Sequence, residues 1–211
     1  MKLRNSGLAP RGRVWGAFTL IELLVVIAII GILAALITNL SKSAADKRKL
    51  ARVRVELAEL ETVIESYEKK MGSFPPDNGN LINDSVDRPS SATNQLFYEL
   101  AGATINDLQT IYTSFQGITI SKGDVQNYFK RDGIANSQGN QPFFSPKPNR
   151  HKPIPGGSVE VLVVPVEFLQ GQINPWHYDA SSTNRHNPDS YDLWAQILIG
   201  GQTNIIGNWK E

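Results

Sequence analysis

The first regular feature of the chain is an unbroken apolar run over residues 18–40, 23 positions in which Glu22 is the only ionisable residue. About 20 apolar helical residues cross a hydrocarbon core of ~30 Å, so this run predicts a single membrane-spanning helix. A carboxylate at membrane depth costs ~3 kcal/mol on insertion scales, so Glu22 needs a neutralising partner. A free α-amino group at Phe18, four residues earlier, would supply that partner if the chain were cut after Ala17.

A second pattern, beyond the apolar run, is a stripe of apolar residues that recur at alternating spacings of three and four. This spacing places them on one face of an α-helix. No glycine or proline interrupts residues 32–71, and Gly72 followed by Pro75 and Pro76 is typical of a helix end. We therefore predict one helix over residues 18–71, whose second half packs on a folded domain through Leu50, Val53, Leu57, Leu60, Ile64, Tyr67 and Met71.

The charges on the second half of this helix are segregated into a basic band followed by an acidic band. Basic residues just outside an apolar run are expected near lipid headgroups. A solvated helix face is the alternative interpretation of the same pattern. The basic band comprises Lys42, Lys47, Arg48, Lys49, Arg52 and Arg54, and the acidic band Glu56, Glu59, Glu61, Glu65 and Glu68.

The remaining chain, residues 73–211, predicts one globular domain. Residues 77–157 are polar and variable in character, with a short helix expected around residues 96–100. The five prolines of residues 141–157 predict an extended surface loop, in which His151 is expected to be solvated. Residues 158–211 predict a β-region with strands at 159–164, 175–178 and 191–199. The fold class is thus α+β, with a long N-terminal helix packed on a small antiparallel sheet domain.

The composition and net charge of the chain narrow the classes of function that it can have. The chain has 211 residues and no cysteine, so no disulfide contributes to its stability. Without residues 1–17 it has 17 basic and 20 acidic residues, a net charge of −3 that argues against nucleic-acid binding. Residues 1–17 contain Lys2, Arg4, Arg11 and Arg13 but no acid, which by the positive-inside rule keeps them cytoplasmic and sends the C-terminus outward.

The motif Phe18-Thr19-Leu20-Ile21-Glu22, behind a basic leader, closely resembles the prepilin signature of type IV pilins and type II secretion pseudopilins. The resemblance implies a leader of residues 1–17, cleavage between Ala17 and Phe18 by a prepilin peptidase, and N-methylation of Phe18. It also implies a transmembrane and filament-core helix over residues 18–40, continued by an amphipathic helix over residues 41–72.

Two other cleavage sites are open from the residues alone. Cleavage between Gly16 and Ala17 would place Glu22 one residue too far from the new amine. An ordinary secretory signal peptide would be cut after the apolar run, within residues 38–45, and would leave Glu22 without a role.

Three C-terminal segments resemble the type II secretion major pseudopilin. They are Asn174-Pro175-Trp176-His177-Tyr178, Asn187-Pro188-Asp189-Ser190-Tyr191-Asp192-Leu193-Trp194, and Ile206-Gly207-Asn208-Trp209. In that family a calcium-binding loop follows the Tyr-Asp-Leu strand. Here residues 195–204 contain no acid, and calcium prefers carboxylate-containing sites, so we expect no calcium and no other cofactor.

The resemblance implies a structural subunit and no enzyme: a protein of the bacterial inner membrane, single-pass, with its C-terminal domain in the periplasm, that polymerises into a secretion pseudopilus. Its implied partners are other copies of itself, minor pseudopilins, the prepilin peptidase, the inner-membrane assembly platform and membrane lipid. In a staggered filament the basic band could meet a neighbour's acidic band. The alternative is a type IV pilin or minor pilin for adhesion, motility or DNA uptake, although the missing cysteines favour the pseudopilin.

A third function class, a membrane-tethered envelope hydrolase, would need a catalytic or metal site. The only candidates are side chains of metal-ligand type clustered near the C-terminus. Asn, Asp and Ser crowd this stretch because they favour turns, so we interpret it as turns and predict no metal site. The cluster comprises His177, Asp179, His186, Asp189 and Asp192.

Overall fold

A computed structural model of the chain describes residues 18–78, 89–137 and 142–210, with the side chains of residues 37–41, 89 and 90 left out. The predicted leader, residues 1–17, and parts of the variable region lie outside these residues. The chain divides into two compact units, Met1–Ala45 and Asp46–Glu211.

Helix α1 runs from Leu20 to Met71 without a break, as the sequence predicts. It ends at Gly72, which adopts a left-handed conformation (φ 80°) and whose N–H donates to the Glu68 carbonyl at 2.8 Å. Glycine adopts a left-handed conformation without strain because glycine has no Cβ.

The apolar stripe on the second half of α1 enters the core of the unit formed by residues 46–211, which confirms its predicted packing. The five central residues of the stripe are buried, and Leu50 and Met71 are partly buried against the same core. The buried residues are Val53, Leu57, Leu60, Ile64 and Tyr67. Around them pack aromatic and aliphatic residues from the rest of this unit, with Phe97, Phe129, Trp176 and Tyr178 among the largest.

In the part of the chain after α1 that the structure describes, three short helices follow, α2 (Pro89–Ala92), α3 (Leu96–Ala101) and α4 (Lys122–Asp124). A five-residue π-helix, Val125–Phe129, continues α4, and a 3-10 turn covers Ala135–Ser137. Helix α3 confirms the predicted short helix, and all six of its residues are buried.

Within the described residues the strands form three small antiparallel sheets, which confirms the predicted α+β class. Strands β1 (Ala103–Ile105), β2 (Ile111–Ser114) and β3 (Thr119–Ser121) make the first sheet. Strands β4 (His151–Pro153) and β5 (Glu160–Leu162) make the second. Strands β6 (His177–Asp179), β7 (Asp192–Ile199) and β8 (Gln202–Gly207) make the third.

The predicted C-terminal strands are present with shifted ends. Strand β5 is shorter than predicted, since it covers only Glu160–Leu162, and Val163 after it forms an isolated bridge with Pro175. Residues 195–204, which stand where the resembling family has its calcium loop, form most of the β7–β8 hairpin.

Two predictions for the proline-rich stretch are wrong. Residues 151–153 form β4 rather than loop, because their backbone pairs with β5 in the register His151↔Leu162. His151 is also not solvated, since its Nδ1 lies 2.9 Å from Glu160 Oε2 and its ring packs against Phe97 at a tilt of 33°, with centroids 4.8 Å apart. The cross-strand contact supplies a partner that sequence position alone does not reveal.

Candidate functional site

The start of α1 is held by a reciprocal pair of contacts between Thr19 and Glu22. The Thr19 N–H and hydroxyl donate to Glu22 Oε2 at 2.9 and 2.7 Å, and the Glu22 N–H donates to Thr19 Oγ1 at 3.3 Å. This is a capping box, which satisfies donors at a helix start and places a negative charge at the positive end of the helix dipole. The spacing Thr-x-x-Glu is the sequence signal of a capping box. The interpretation of Glu22 as a charge partner does not include this second role.

Of the two residues that flank the predicted cleavage, the structure describes only Phe18. Phe18 is 80% exposed. Ala17 lies outside the described residues, so the cleavage between Ala17 and Phe18 stays a prediction, as does the methylation of Phe18. The structure therefore shows Glu22 in contact with Thr19. Its pairing with the Phe18 amine stays a prediction.

The apolar run is uncovered along its described side chains, because every residue from 18 to 36 is exposed. Among the helices of the described residues, none has both the length and the apolarity needed to cross a membrane. The predicted span also includes residues 37–40, whose side chains are not described, so the crossing stays a prediction. The exposed large apolar residues of the run are Phe18, Leu20, Ile21, Leu23, Leu24, Val25, Val26, Ile27, Ile29, Ile30, Ile32, Leu33 and Leu36.

The segments that carry the C-terminal resemblance form one connected network. The Asn208 side chain accepts from the Leu193 N–H at 2.9 Å and donates to the Tyr191 carbonyl at 2.9 Å. The Asn187 amide donates to Asn208 Oδ1 at 3.2 Å. These side chains therefore tie the segment after β8 to the start of β7.

Trp209 lies over Gly207 and stacks on His186. The two rings of the stack have centroids 4.0 Å apart and planes 5° apart. A Cβ on Gly207 would lie 2.6 Å from the Trp209 ring, so only glycine permits this approach. The Gly-Asn-Trp sequence thus has a structural role in closing the C-terminal sheet.

The residues of the candidate metal cluster serve separate structural roles. His177 Nδ1 lies 2.9 Å from Ser91 Oγ and its ring stacks on Trp194. Burial lowers the pKa of His177 to about 4, so the imidazole is neutral at physiological pH. Asp179 accepts from the N–H groups of Ser181 and Ser182 at 3.2 and 2.9 Å.

Asp192 accepts from the N–H groups of His186 and Asn187 at 2.7 and 3.0 Å, and His186 Nδ1 lies 3.0 Å from the same carboxylate. Asp189 is exposed. Within the described residues no group of three or more His, Cys, Asp or Glu side chains is arranged to hold a metal. The carboxylates of Asp179 and Asp192 therefore cap turns of the chain, as their Asn- and Ser-rich surroundings predict.

The buried carboxylates of Asp77 and Asp179 share a hydrogen-bond donor at the turn after β6. The Ser181 N–H donates both to Asp179 and to Asp77, whose Oδ2 is 2.8 Å away. Asp77 is also paired with Arg131, whose Nη2 lies 3.1 Å from Oδ1. Burial, with Asp77 nearby, raises the pKa of Asp179.

Glu56 departs from both interpretations of the acidic band. Its side chain is buried, forms an ion pair with Arg150, and accepts from Trp176 Nε1 at 3.3 Å. Glu56 therefore holds the helix to the domain and belongs to neither a solvated face nor an intermolecular band. Its position three residues after Val53 and four before Leu60 places it on the buried face, and this spacing is the signal that the sequence offers.

Glu99 is a further buried carboxylate, which the sequence did not predict. Its Oε1 accepts from Gln95 Nε2 and the Ala135 N–H at 2.9 and 2.7 Å. Its Oε2 accepts from the Tyr67 hydroxyl and the Asn136 N–H at 2.7 and 2.9 Å. Burial raises the pKa of Glu99, although the hydrogen bonds from Tyr67, Ala135 and Asn136 and the charge of Arg131 oppose the rise. The network joins α1, α3 and the 3-10 turn.

Comparison with known proteins gives one match. Residues 16–38 match the family model described as the prokaryotic N-terminal methylation motif. No curated protein and no solved structure matches the chain at a significant level. The matched residues include Phe18, Thr19 and Glu22, and they cover the start of α1. The chain therefore carries the prepilin signature of type IV pilin-like proteins at this helix start.

Proposed function

We propose that this protein is a structural subunit of a type IV pilin-like filament. One observation carries the proposal: the methylation motif coincides with the start of a helix whose described residues 18–36 are uncovered and, apart from Thr19 and Glu22, carry no polar side chain. Contiguous apolar surface of this extent marks a membrane or protein contact. A lipid bilayer covers it before assembly, and the same residues of other copies cover it in the filament.

The processing follows from the residues at the motif. A prepilin peptidase cuts the bond between Ala17 and Phe18, and the new Phe18 amine is methylated. The Glu22 carboxylate then neutralises that ammonium, or the ammonium of a neighbouring copy, inside an apolar helical core. A buried ion pair of this kind is strongly disrupted when one partner is removed.

We further propose that the filament is the periplasmic pseudopilus of a type II protein secretion system. The support is the C-terminal network of Tyr191, Leu193, Asn208 and Trp209, since the segments that resemble the major pseudopilin pack together as one unit. The protein is then anchored in the inner membrane with residues 46–211 in the periplasm. It assembles with other copies, minor pseudopilins and the inner-membrane platform, and it is not an enzyme.

Coexpression separates the steps of this proposal. The full chain is produced with and without a prepilin peptidase, and with and without a type II secretion assembly platform, and the N-terminus is read by mass spectrometry. We expect a methylated Phe18 only with the peptidase, and sheared filaments only when the platform is also present. A mature chain that begins at Ala17 or after Ser41 would contradict the processing, and filaments formed only with a pilus platform would contradict the secretion role.

A further inference from the structure

A groove of about 630 Å³ opens on the unit of residues 46–211, between the exposed face of α1 and the chain around β4. Its size lies within the range of ligand sites, about 300–1,000 Å³. It is lined by Ala51, Arg52, Val55, Lys147, Asn149, Arg150, Lys152, Val163, Val164, Pro165, Glu167, Gln172, Ile173 and Asn174.

The groove concentrates positive charge on a chain that has an acidic balance after the predicted cleavage. Four of its lining residues are basic and one, Glu167, is acidic. Arg150 is already paired with the buried Glu56. Arg52, Lys147 and Lys152 are exposed, and within the part of the chain that the structure describes none of them forms an ion pair. Three cations are therefore available to a ligand.

The positions of the lysines are fixed by backbone pairing. The Arg150 N–H closes a turn onto the Lys147 carbonyl at 2.8 Å, and the Val163 N–H donates to the Arg150 carbonyl at 2.9 Å. Lys152 lies in β4 opposite Val161. The two lysine side chains thus extend from a backbone that hydrogen bonds hold in place. This lowers the conformational entropy that is lost on binding.

The floor and walls of the groove suit a ligand that is not charged throughout. Val55 is 70% exposed, although it lies one position before the buried Glu56. Pro165 and Ile173 are half-buried, and the exposed amides of Asn149 and Gln172 can both donate and accept hydrogen bonds. Apolar surface, amides and cations together match an extended peptide with acidic and aliphatic side chains.

We propose that this groove binds an acidic, extended peptide segment of another protein, with Arg52, Lys147 and Lys152 contacting its carboxylates and Val55 packing on its aliphatic side chains. An inorganic polyphosphate would use the cations but leave the apolar floor uncovered. The site lies entirely within residues 46–211, so it does not depend on the filament proposed above.

Fluorescence anisotropy tests the proposal with the full chain in detergent micelles. The probe is a labelled peptide of alternating glutamate and valine, and the matched control peptide has glutamine in place of glutamate. We expect saturable binding of the acidic peptide, weakened as salt rises from about 0.1 to about 0.5 M because screening grows. Equal binding of the glutamine peptide, or no binding of either, overturns the proposal.

Two double variants, each of which removes two lysine charges, test whether the peptide binds in the groove. Lys147→Gln with Lys152→Gln should weaken binding of the acidic peptide by about tenfold or more, since each removes a charge contact. The control, Lys70→Gln with Lys210→Gln, removes two exposed lysines that do not line the groove and should change affinity by less than about twofold. Val55→Asp, which places a carboxylate in the groove without altering the core, should also weaken binding. Equal losses in the groove and control variants overturn the assignment.

Two other occupants are distinguished in the same series. Tripolyphosphate that binds in a lysine-dependent manner while the peptide does not would assign the groove to phosphate and overturn the proposal. Cross-linking between copies that is lost in the Lys147→Gln, Lys152→Gln variant, again without peptide binding, would assign it to a second copy of this chain and also overturn it.

Discussion

Arg150 forms an ion pair with Glu56, which places a charged contact within the packed face of α1. The Glu56 side chain is 3% exposed and that of Arg150 is 22% exposed. The indole Nε1 of the fully buried Trp176 also donates to the Glu56 carboxylate, at 3.3 Å. Charge and packing are therefore coupled at one point, where α1 meets the segment before β4 and the segment before β6.

Removal of one partner from this pair should destabilise the domain more than removal of both. Glu56→Gln leaves the Arg150 charge without its partner, and we expect a loss of about 2 kcal/mol because Arg150 is partly open to water. The double variant Glu56→Gln with Arg150→Met should lose less than about 1 kcal/mol, since the glutamine oxygen can still accept from Trp176 Nε1. Denaturant unfolding of the full chain in detergent, followed by tryptophan fluorescence, measures both. Additive losses would contradict the coupling.

Sequence patterning predicted α1 and its buried stripe well because helix periodicity is a local property. The same band of glutamates contains both exposed Glu59 and buried Glu56, and only the distant Arg150 and Trp176 make the burial of Glu56 possible. Charge pattern along one helix cannot show a partner that lies more than 90 residues away.

The strands that the sequence did not predict also depend on contacts that a local pattern does not show. Strands β1, β3 and β4 have three residues each, too short for an alternating pattern to be visible. Strand β8 reads Gln-Thr-Asn-Ile-Ile-Gly, which is polar in its first half, and its pairing with β7 decides its conformation. At the helix start, by contrast, the Thr19–Glu22 capping box is readable from spacing alone, because both of its partners lie within one helical turn.

Glu99→Gln should destabilise the domain even though it removes a buried charge. Each Glu99 oxygen accepts from a backbone N–H, so a glutamine must turn its own NH₂ group toward either Ala135 or Asn136. An unsatisfied buried donor pair of this kind costs about 2 kcal/mol. Denaturant unfolding at neutral pH gives the loss, and Glu99→Gln that is as stable as wild type would contradict it.

The same variant should show how Glu99 couples stability to pH. Burial raises the pKa of Glu99 above its ordinary 4.5, so the folded state binds a proton before the unfolded state does. Wild type should therefore gain stability relative to Glu99→Gln as pH falls from neutral toward 4.5, and lose that gain as pH rises again. Unfolding titrations of both proteins between these limits measure the difference. A constant difference across the range would show that the pKa is not raised.

Gly207→Ala should loosen the C-terminal segment, because the new Cβ would lie 2.6 Å from the Trp209 ring. Overpacking of this kind costs about 1–3 kcal/mol, and here the ring is also held by its stack on His186. Near-ultraviolet circular dichroism and tryptophan fluorescence report on the environment of the Trp209 ring. Gly123→Ala is the matched control, since its Cβ would approach nothing closer than 3.7 Å and should leave both readouts unchanged.

Calcium should not stabilise the protein. Residues 195–204 contain no carboxylate and lie in the β7–β8 hairpin, whose backbone groups pair with each other. A ligand that binds only the native state adds ~2.7 kcal/mol at a hundredfold excess over its Kd, which a thermal melt would detect. Melts of the full chain with calcium and with chelator should coincide. A calcium-dependent rise in Tm would show that Asp189, Asp192 or backbone carbonyls form a site.

Glu22→Ala should leave membrane insertion intact but abolish or greatly reduce filament assembly. Removal of the carboxylate favours the bilayer by ~3 kcal/mol on insertion scales, whereas a neighbour's ammonium loses its partner in the apolar core. Glu22→Gln keeps the size of the side chain and should fail in the same way. Membrane fractionation, leader cleavage by mass spectrometry and yields of sheared filaments are scored for each.

Thr19→Ala separates the two roles of Glu22, because it removes the hydroxyl contacts at 2.7 and 3.3 Å and keeps the carboxylate. Loss of such a cap costs about 1 kcal/mol at the helix start, which should lower filament yield only slightly if charge neutralisation governs assembly. Equal losses in Thr19→Ala and Glu22→Gln would instead assign the function of Glu22 to the capping box. Wild-type filament yields in both Glu22 variants would show that Glu22 acts elsewhere, such as in recognition by the peptidase.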